Sequence, residues 1–358
     1  MILKEENVDL KIELLKKLCE TPGVSGYEEP VRKIVNDELE KIMDEIKIDK
    51  LGNIIGFKKA RKEGQGEPIK VMVAAHMDEI GFLVRYIDKD GFLRITPLGG
   101  FDSRTLIAQR VIVHGKRDIK GIIPLPKPMF LSKEDNKKYI DMKDLHIDVG
   151  MSKEEVAKYV KVGDVVSLDQ NFMKLNEQVV TSRNFDDRMG VFVMIEALKR
   201  LEDCYADIYA VGTVQEELGL RGGTVASFSV EPDIGIAIDG SLAYDFPNIK
   251  DEDKHCFLGG GTGIYIVDNR TLCDKKIVNF LKYLAEENNI GYQLNIGGGT
   301  DAAAMQRNKT GTLVCTIGAP IRNMHSTVQL CHLGDIEYTI ELLKVFLEKA
   351  HKIDTFLK

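Results

Sequence analysis

Four apolar runs constrain this chain more than any other feature. Residues 69–75, 208–214 and 234–238 are mostly or wholly apolar, and they lead into His76-Met77-Asp78, Gln215-Glu216-Glu217 and Asp239. A fourth, 312–317, leads through a short loop to Met324-His325-Ser326. Runs of this kind suit strands buried on both faces of a helix-covered sheet. If they lie parallel in one sheet, their carboxyl ends share one edge, where open α/β sheets place their ligands. That edge would hold two imidazoles and several carboxylates, and the strand-end motifs contain no Lys or Arg to neutralise them. Uncompensated buried carboxylates are costly, so divalent cations are their natural partners.

The rest of the chain supplies what such a sheet needs. Apolar residues recur at helical spacing over 10–19, 31–42, 187–201, 275–288 and 334–353. Ser25 or Gly26 opens the second of these helices, with Glu28 and Glu29 in its first turn. A hairpin over 46–57 turns at Leu51-Gly52, and 61–67 reads as a solvated loop. Between Gly81 and Asn176 the character changes to short alternating strands (82–87, 92–95, 110–113, 164–168) with one helix near 153–159. The fold class expected is α/β, a catalytic domain formed by 1–80 and 177–358 with a β-rich domain inserted at 81–176. That insertion looks too small to complete much core of its own. Its runs 106–108 and 111–113 are expected to expose apolar surface of the sort that marks an interface.

Composition removes several function classes. The 358 residues carry a net charge of −7, with no basic cluster interleaved with aromatics, which argues against a nucleic-acid partner. No apolar run approaches the ~20 residues of a membrane helix. The first six residues lack the order of a signal peptide. Six cysteines, none in a Cys-x-x-Cys pair, read as scattered thiols in a reducing compartment, so the expected location is cytoplasmic.

Within the candidate site, residue types suggest roles. Asp186 stands at a strand-to-helix junction, where it can cap the helix or bridge two cations. Two histidines and three carboxylates without cysteine suit Zn²⁺, Co²⁺ or Mn²⁺. In His76-Met77-Asp78 the two polar side chains fall on the same strand face, so Asp78 can accept the imidazole's other N–H and fix its tautomer. Of the consecutive Glu216 and Glu217, one can ligate while its neighbour acts as a base. His114, His146, His255, His332 and His351 have no comparable setting.

Taken together, these motifs resemble the glutamyl and deblocking aminopeptidase family of di-metal peptidases, some of which form tetrahedral shells and some of which carry endoglucanase labels. The resemblance runs from Thr21-Pro22-Gly23-Val24-Ser25-Gly26-Tyr27-Glu28 to about Asp335. It includes Ala75-His76-Met77-Asp78-Glu79-Ile80-Gly81, Leu98-Gly99-Gly100-Phe101-Asp102, Phe185-Asp186-Asp187-Arg188, Gln215-Glu216-Glu217, Gly299-Thr300-Asp301-Ala302 and Met324-His325-Ser326. It implies a mixed sheet flanked by helices and a barrel-like dimerisation insert. It also implies two divalent ions per subunit, Zn or Co, with His76, Asp186 and Asp239 on one and Asp186, Glu217 and His325 on the other. Glu216 matches the general base acting on a bridging water, and Asp78 matches the residue that orients His76. The implied reaction is removal of N-terminal residues from peptides, by a homodimer or a larger assembly up to a dodecamer. Thr327 and Gln329 stand where many relatives carry Pro and Glu, which removes a charge near His325. Two other readings are an endoglucanase using a carboxylate pair and a silent oligomeric scaffold. The absence of Trp speaks against the first and the intact Glu216 against the second.

Overall fold

A computed structural model describes residues 12–61, 67–125 and 140–356. Most of the loop expected over 61–67, and the first two residues of the helix expected from Leu10, lie outside these. The central element is an eight-stranded mixed sheet in the order Glu45–Ile48, Ile54–Lys58, Asp207–Thr213, Lys70–His76, Ile234–Ile238, Leu313–Gly318, Thr262–Val267, Tyr292–Ile296. Asp207–Thr213, Lys70–His76, Ile234–Ile238 and Leu313–Gly318 run parallel, so the four apolar runs do deliver their carboxyl ends to one edge.

The apolar content of these strands follows from their position. Val71, Val73 and Ala75 pack on one face with the helices Ile12–Glu20, Glu29–Leu39, Phe185–Lys199, Lys275–Glu287 and Leu333–Lys349. Met72 and Ala74 pack on the other with Arg221–Val230 and Ala302–Gln306. Both faces are therefore dry, and a polar residue inside a strand needs its own partner, as Thr316 has in Thr300 Oγ1 at 2.8 Å. The last helix stops at Lys349, short of the expected 353, and a 3₁₀ turn over Ala350–Lys352 leads to Ile353–Phe356.

Between Gly81 and Leu168 the chain builds a separate antiparallel sheet. Its order is Asp118–Ile122, Arg110–His114, Val165–Leu168, Gly81–Ile87, Leu93–Leu98, His146–Ile147. Ile122 and Asp148 exchange both backbone hydrogen bonds at 2.9 Å, which joins the two edges and nearly closes a barrel. The expected helix near 153–159 is the single turn Lys153–Val156, held by a capping box between Ser152 and Glu155. Of the apolar surface expected over 106–108 and 111–113, Ala108 is exposed and Ile107 and Ile112 are half-buried, but the other three residues are not at the surface. Leu106, Val111 and Val113 are buried in the barrel's own core with Phe82, Val84, Leu93 and Ile95. Closing the barrel turns alternate residues inward, so the small unit does complete a core.

Candidate metal centre

His76, Glu216, Glu217 and Asp239 leave the central sheet at strand ends, where the backbone is still held. Asp186 instead stands at the start of Phe185–Lys199, after the strand Val179–Ser182 of a small separate sheet. The Lys70–His76 strand stops at His76, and Met77 N continues the pairing to Thr213 O at 2.8 Å. After the neighbouring Asp207–Thr213 strand, Gln215 takes a left-handed φ of 53° and turns Glu216 and Glu217 back across the edge. Asp239 follows Ile238 directly. His325 arrives on the loop after Pro320–Ile321.

The ligand atoms of His76, Asp186 and Asp239 lie within 4.8 Å of one another, and so do those of Asp186, Glu217 and His325. Asp186 is common to both groups. Its Oδ1 is 3.0 Å from His76 Nε2 and its Oδ2 is 3.2 Å from His325 Nε2. His325 Nε2 is also 3.3 Å from Glu217 Oε1. The other nitrogen of each ring meets a backbone carbonyl, His76 Nδ1 at Asp78 O (3.0 Å) and His325 Nδ1 at Gly100 O (2.9 Å). Both rings are thereby fixed with Nε2 toward the carboxylates, the orientation a metal-binding histidine needs. Leu220, Leu242, Tyr265, Arg270 and Met324 complete a cleft of about 400 Å³ around these groups. A larger groove of about 1180 Å³ opens at the amino-terminal edge of the sheet near Asp233, Leu272 and Lys309, remote from this ligand set.

Asp78 sits differently from the sequence reading. The strand ends at His76, so two-residue alternation does not extend to Asp78, whose carboxylate Oδ1 is 3.5 Å from His76 Nδ1. Beside that contact to His76, the carboxylate accepts from Glu216 N (2.9 Å), Glu217 N (3.2 Å) and Ser25 Oγ (2.6 Å). It holds the Glu216-Glu217 backbone in place. The capping role considered for Asp186 belongs to Asp187, whose carboxylate accepts from Gly190 N and His76 N at 3.0 and 3.1 Å. A Cβ at Gly190 would lie 2.3 Å from that carboxylate, so the close approach requires glycine. Gln329 is buried, and its Oε1 accepts from Asp186 N at 2.9 Å. The departure from the family pattern therefore still supplies an acceptor behind the shared carboxylate.

Arg183 and Arg188 flank Asp186 in sequence but turn away from the cleft. Arg183 Nε donates to Glu79 Oε2 at 2.8 Å. Arg188 donates to the carbonyls of Met77 and Thr21, both at 2.8 Å, and lies 3.4 Å from Glu79. The cleft keeps its excess of carboxylates as a result. Burial pushes the Glu216 carboxyl well above its ordinary range; the charges of Asp239, Asp301 and Glu217 add to this and His76 opposes it. Burial and the neighbouring Asp186 push Asp239 up likewise. For His325 burial disfavours the charged ring, yet hydrogen bonds to Asp186 and Glu217 prevail and raise its pKa to about 11. The site therefore favours positive charge.

Two buried carboxylates were not singled out from sequence. Asp301 accepts from Thr213 Oγ1 at 2.6 Å, and its other oxygen has no hydrogen-bond partner. Glu28 accepts from Gln215 N at 3.0 Å and so braces the turn before Glu216. The signal for Asp301 was its place after Gly299-Thr300 at a helix start. Glu28 gave none beyond its family motif.

A family model described as M42 glutamyl aminopeptidase matches residues 52–342. The chain belongs to this family. A lysyl aminopeptidase of Pyrococcus furiosus is 40% identical over 350 residues, covering 96% of this chain and 98% of the relative. Among solved structures, an aminopeptidase from the archaeon Desulfurococcus kamchatkensis superposes with a TM-score of 0.91 at 40% identity, covering 96% of both chains. The Pyrococcus horikoshii TET1 peptidase, described as assembling into a tetrahedron or a large octahedral shell, gives 0.82 at 35% identity over 94% of this chain and 98% of its own. This M42 chain is thus a metal-dependent aminopeptidase with the mixed α/β fold of TET peptidases. A structure described as an endoglucanase from Thermotoga maritima also superposes, with a TM-score of 0.77 at 31% identity over 95% of this chain and 98% of its own, so the endoglucanase label expected among the relatives is found beside the aminopeptidases. Among the described residues no helix is long and apolar enough to cross a membrane, and all six cysteines are buried and unbridged.

Proposed function

We propose that this M42 peptidase works with two divalent ions, His76, Asp186 and Asp239 holding one and Asp186, Glu217 and His325 the other. The observation that carries the reading is Asp186, whose two oxygens each face a different imidazole. Two imidazoles, three carboxylates and no thiol suit Zn²⁺ or Co²⁺. When bound, the ions supply Lewis acidity toward the scissile carbonyl and the attacking water. Glu216 takes the water's proton and delivers it to the leaving amine, a task suited to a carboxylate whose proton affinity burial has raised. Asp78 keeps Glu216 and Glu217 at their stations through the two backbone N–H groups it accepts.

Peptides with a free N-terminus are the substrates, in a cytoplasmic setting consistent with the unbridged cysteines. Residues 81–176 form the inserted unit through which a homodimer forms, and dimers build a closed shell up to a dodecamer, as the TET relatives support. The test is metal analysis of the purified protein beside a panel of aminoacyl p-nitroanilides, before and after chelation. Two equivalents of metal per chain, with activity lost on chelation and restored by Zn²⁺ or Co²⁺, is the expected result. Full activity in metal-stripped protein would refute it.

A further inference from the structure

We infer that the groove between residues 101–109 and 323–328 binds the part of a peptide substrate that follows the scissile bond. The inference rests on the aminopeptidase reading and assigns it a second subsite. Two cavities meet at the metal centre and share Met324 and His325 as their common wall. One is the cleft of about 400 Å³ that contains Glu216, Asp239 and Tyr265. The other, about 820 Å³, leads away between the two loops. An exopeptidase holds one residue on the amino side of the bond and an open-ended chain on the other, so the smaller cleft takes the first residue and the larger groove takes the rest.

The walls are built to receive a chain without rearranging. On one side Asp102 caps the 3₁₀ turn Ser103–Leu106 through Arg104 N, and Thr105 Oγ1 donates to Asp102 O at 2.8 Å. Phe101 is stacked on Phe82 with ring centroids 4.5 Å apart, which ties this wall to the barrel core. On the other side Ser326 Oγ accepts from Val328 N at 3.2 Å, and Asn323 Nδ2 donates to Val328 O at 3.3 Å. Loops tied by their own hydrogen bonds lose little freedom when a ligand binds. Among the described residues, the charged side chains lining the groove apart from His325 are Asp102 and Arg104, and Arg104 Nε bonds both oxygens of Asp102 at 2.9 Å. Away from His325 the described walls therefore carry a balanced charge, with apolar contact from Ile107 and Val328, and fit an extended, uncharged peptide segment.

Two substitutions fill the groove from opposite walls, Val328→Trp and Thr105→Trp. Both positions are exposed, Val328 by 48%, so a larger side chain need not disturb the core. The metal-loaded variants are assayed on the best-cleaved aminoacyl p-nitroanilide and on a neutral tetrapeptide beginning with the same residue, with metal content measured in parallel. In both, the ratio of kcat/KM for the tetrapeptide to that for the anilide should fall about tenfold, mainly through KM, the low end of what a disrupted pocket contact costs. A ratio unmoved in both variants overturns the assignment, as it would if a neighbouring copy of the chain occupied the groove. Equal loss on both substrates, or a changed preference among aminoacyl anilides, overturns it too. Wild-type protein that cleaves neither substrate after metal loading removes the aminopeptidase reading itself.

Discussion

Asp78→Asn tests how the Glu216 and Glu217 carboxylates are held. Asp78 is fully buried, and its two oxygens accept from Glu216 N at 2.9 Å, Glu217 N at 3.2 Å and Ser25 Oγ at 2.6 Å. Asparagine keeps the shape but offers one acceptor oxygen and one NH₂. With its oxygen toward Glu216 N, the NH₂ faces Ser25, which can reverse its hydroxyl, and Glu217 N, which cannot adapt. One buried N–H is then orphaned, costing ~1–3 kcal/mol, and the charge-assisted part of the other bond is lost. If the Glu216-Glu217 turn relaxes to recover that cost, turnover falls about 10- to 100-fold, a factor of ten per ~1.4 kcal/mol. The shorter contact to His76 Nδ1, at 3.0 Å, comes from the backbone carbonyl of Asp78, which the substitution leaves in place, and the 3.5 Å contact keeps an oxygen when the amide oxygen sits at Oδ1. Metal bound at His76 should therefore survive. The assay pairs steady-state kinetics on an aminoacyl p-nitroanilide with metal content by mass spectrometry, using His76→Ala for comparison. Metal loss equal to that of His76→Ala, or unchanged kcat, would refute the account.

Glu216→Gln should lower kcat by at least ~10²–10⁴-fold with both metals retained, whereas Glu217→Gln should lose metal along with activity; wild-type turnover in metal-replete Glu216→Gln would reject the base assignment. Metal uptake should release protons, because His325 without metal is held protonated up to about pH 11, so affinity rises with pH and falls on acidification. Titration calorimetry in buffers of different ionisation heat reads this directly, and buffer-independent heats would contradict it. The same raised pKa gives the metal-free protein a stabilisation that is complete below about pH 6.5, the ordinary histidine value, and is lost as pH climbs toward 11. Arg188→Met should destabilise by ~3–5 kcal/mol in chemical denaturation, since it orphans the carbonyls of Met77 and Thr21 and strips a partner from buried Glu79. A loss below ~1 kcal/mol would show that the pocket collapses around methionine.

The sheet and its working edge were legible because burial on both faces leaves mostly apolar runs that end with the strand. His76, Glu216, Glu217 and Asp239 stood out for that reason, and the loop to His325 was short enough to follow. What escaped depends on contacts between distant segments. Nothing local says that Arg183 and Arg188 turn to Glu79, more than a hundred residues earlier. Asp186 and Asp187 are adjacent carboxylates at a helix start, and only the backbone's direction there decides which one caps. The alternation of Ile119 and Gly121 with charged neighbours in Asp118–Ile122 was a readable strand signal that was missed. Leu106, Val111 and Val113 were read as exposed because the strands that cover them were not yet placed.

His76 and Asp186 touch across 110 residues of chain, Asp186 and Gln329 across 143, and His325 and Gly100 across 225. No two of the five residues His76, Asp186, Glu217, Asp239 and His325 are sequence neighbours, so a newly made chain cannot assemble the centre early. The barrel must fold between His76 and Asp186, and the last strand of the parallel set must dock, before a cation finds more than one ligand in reach. Long loops of this kind slow folding far more than they weaken the final state. A small zinc module is seeded by its metal, but here the ion can only arrive as a latch on a finished frame. Any defect that delays the barrel will show first as slow metal loading, in a protein whose site residues are all intact.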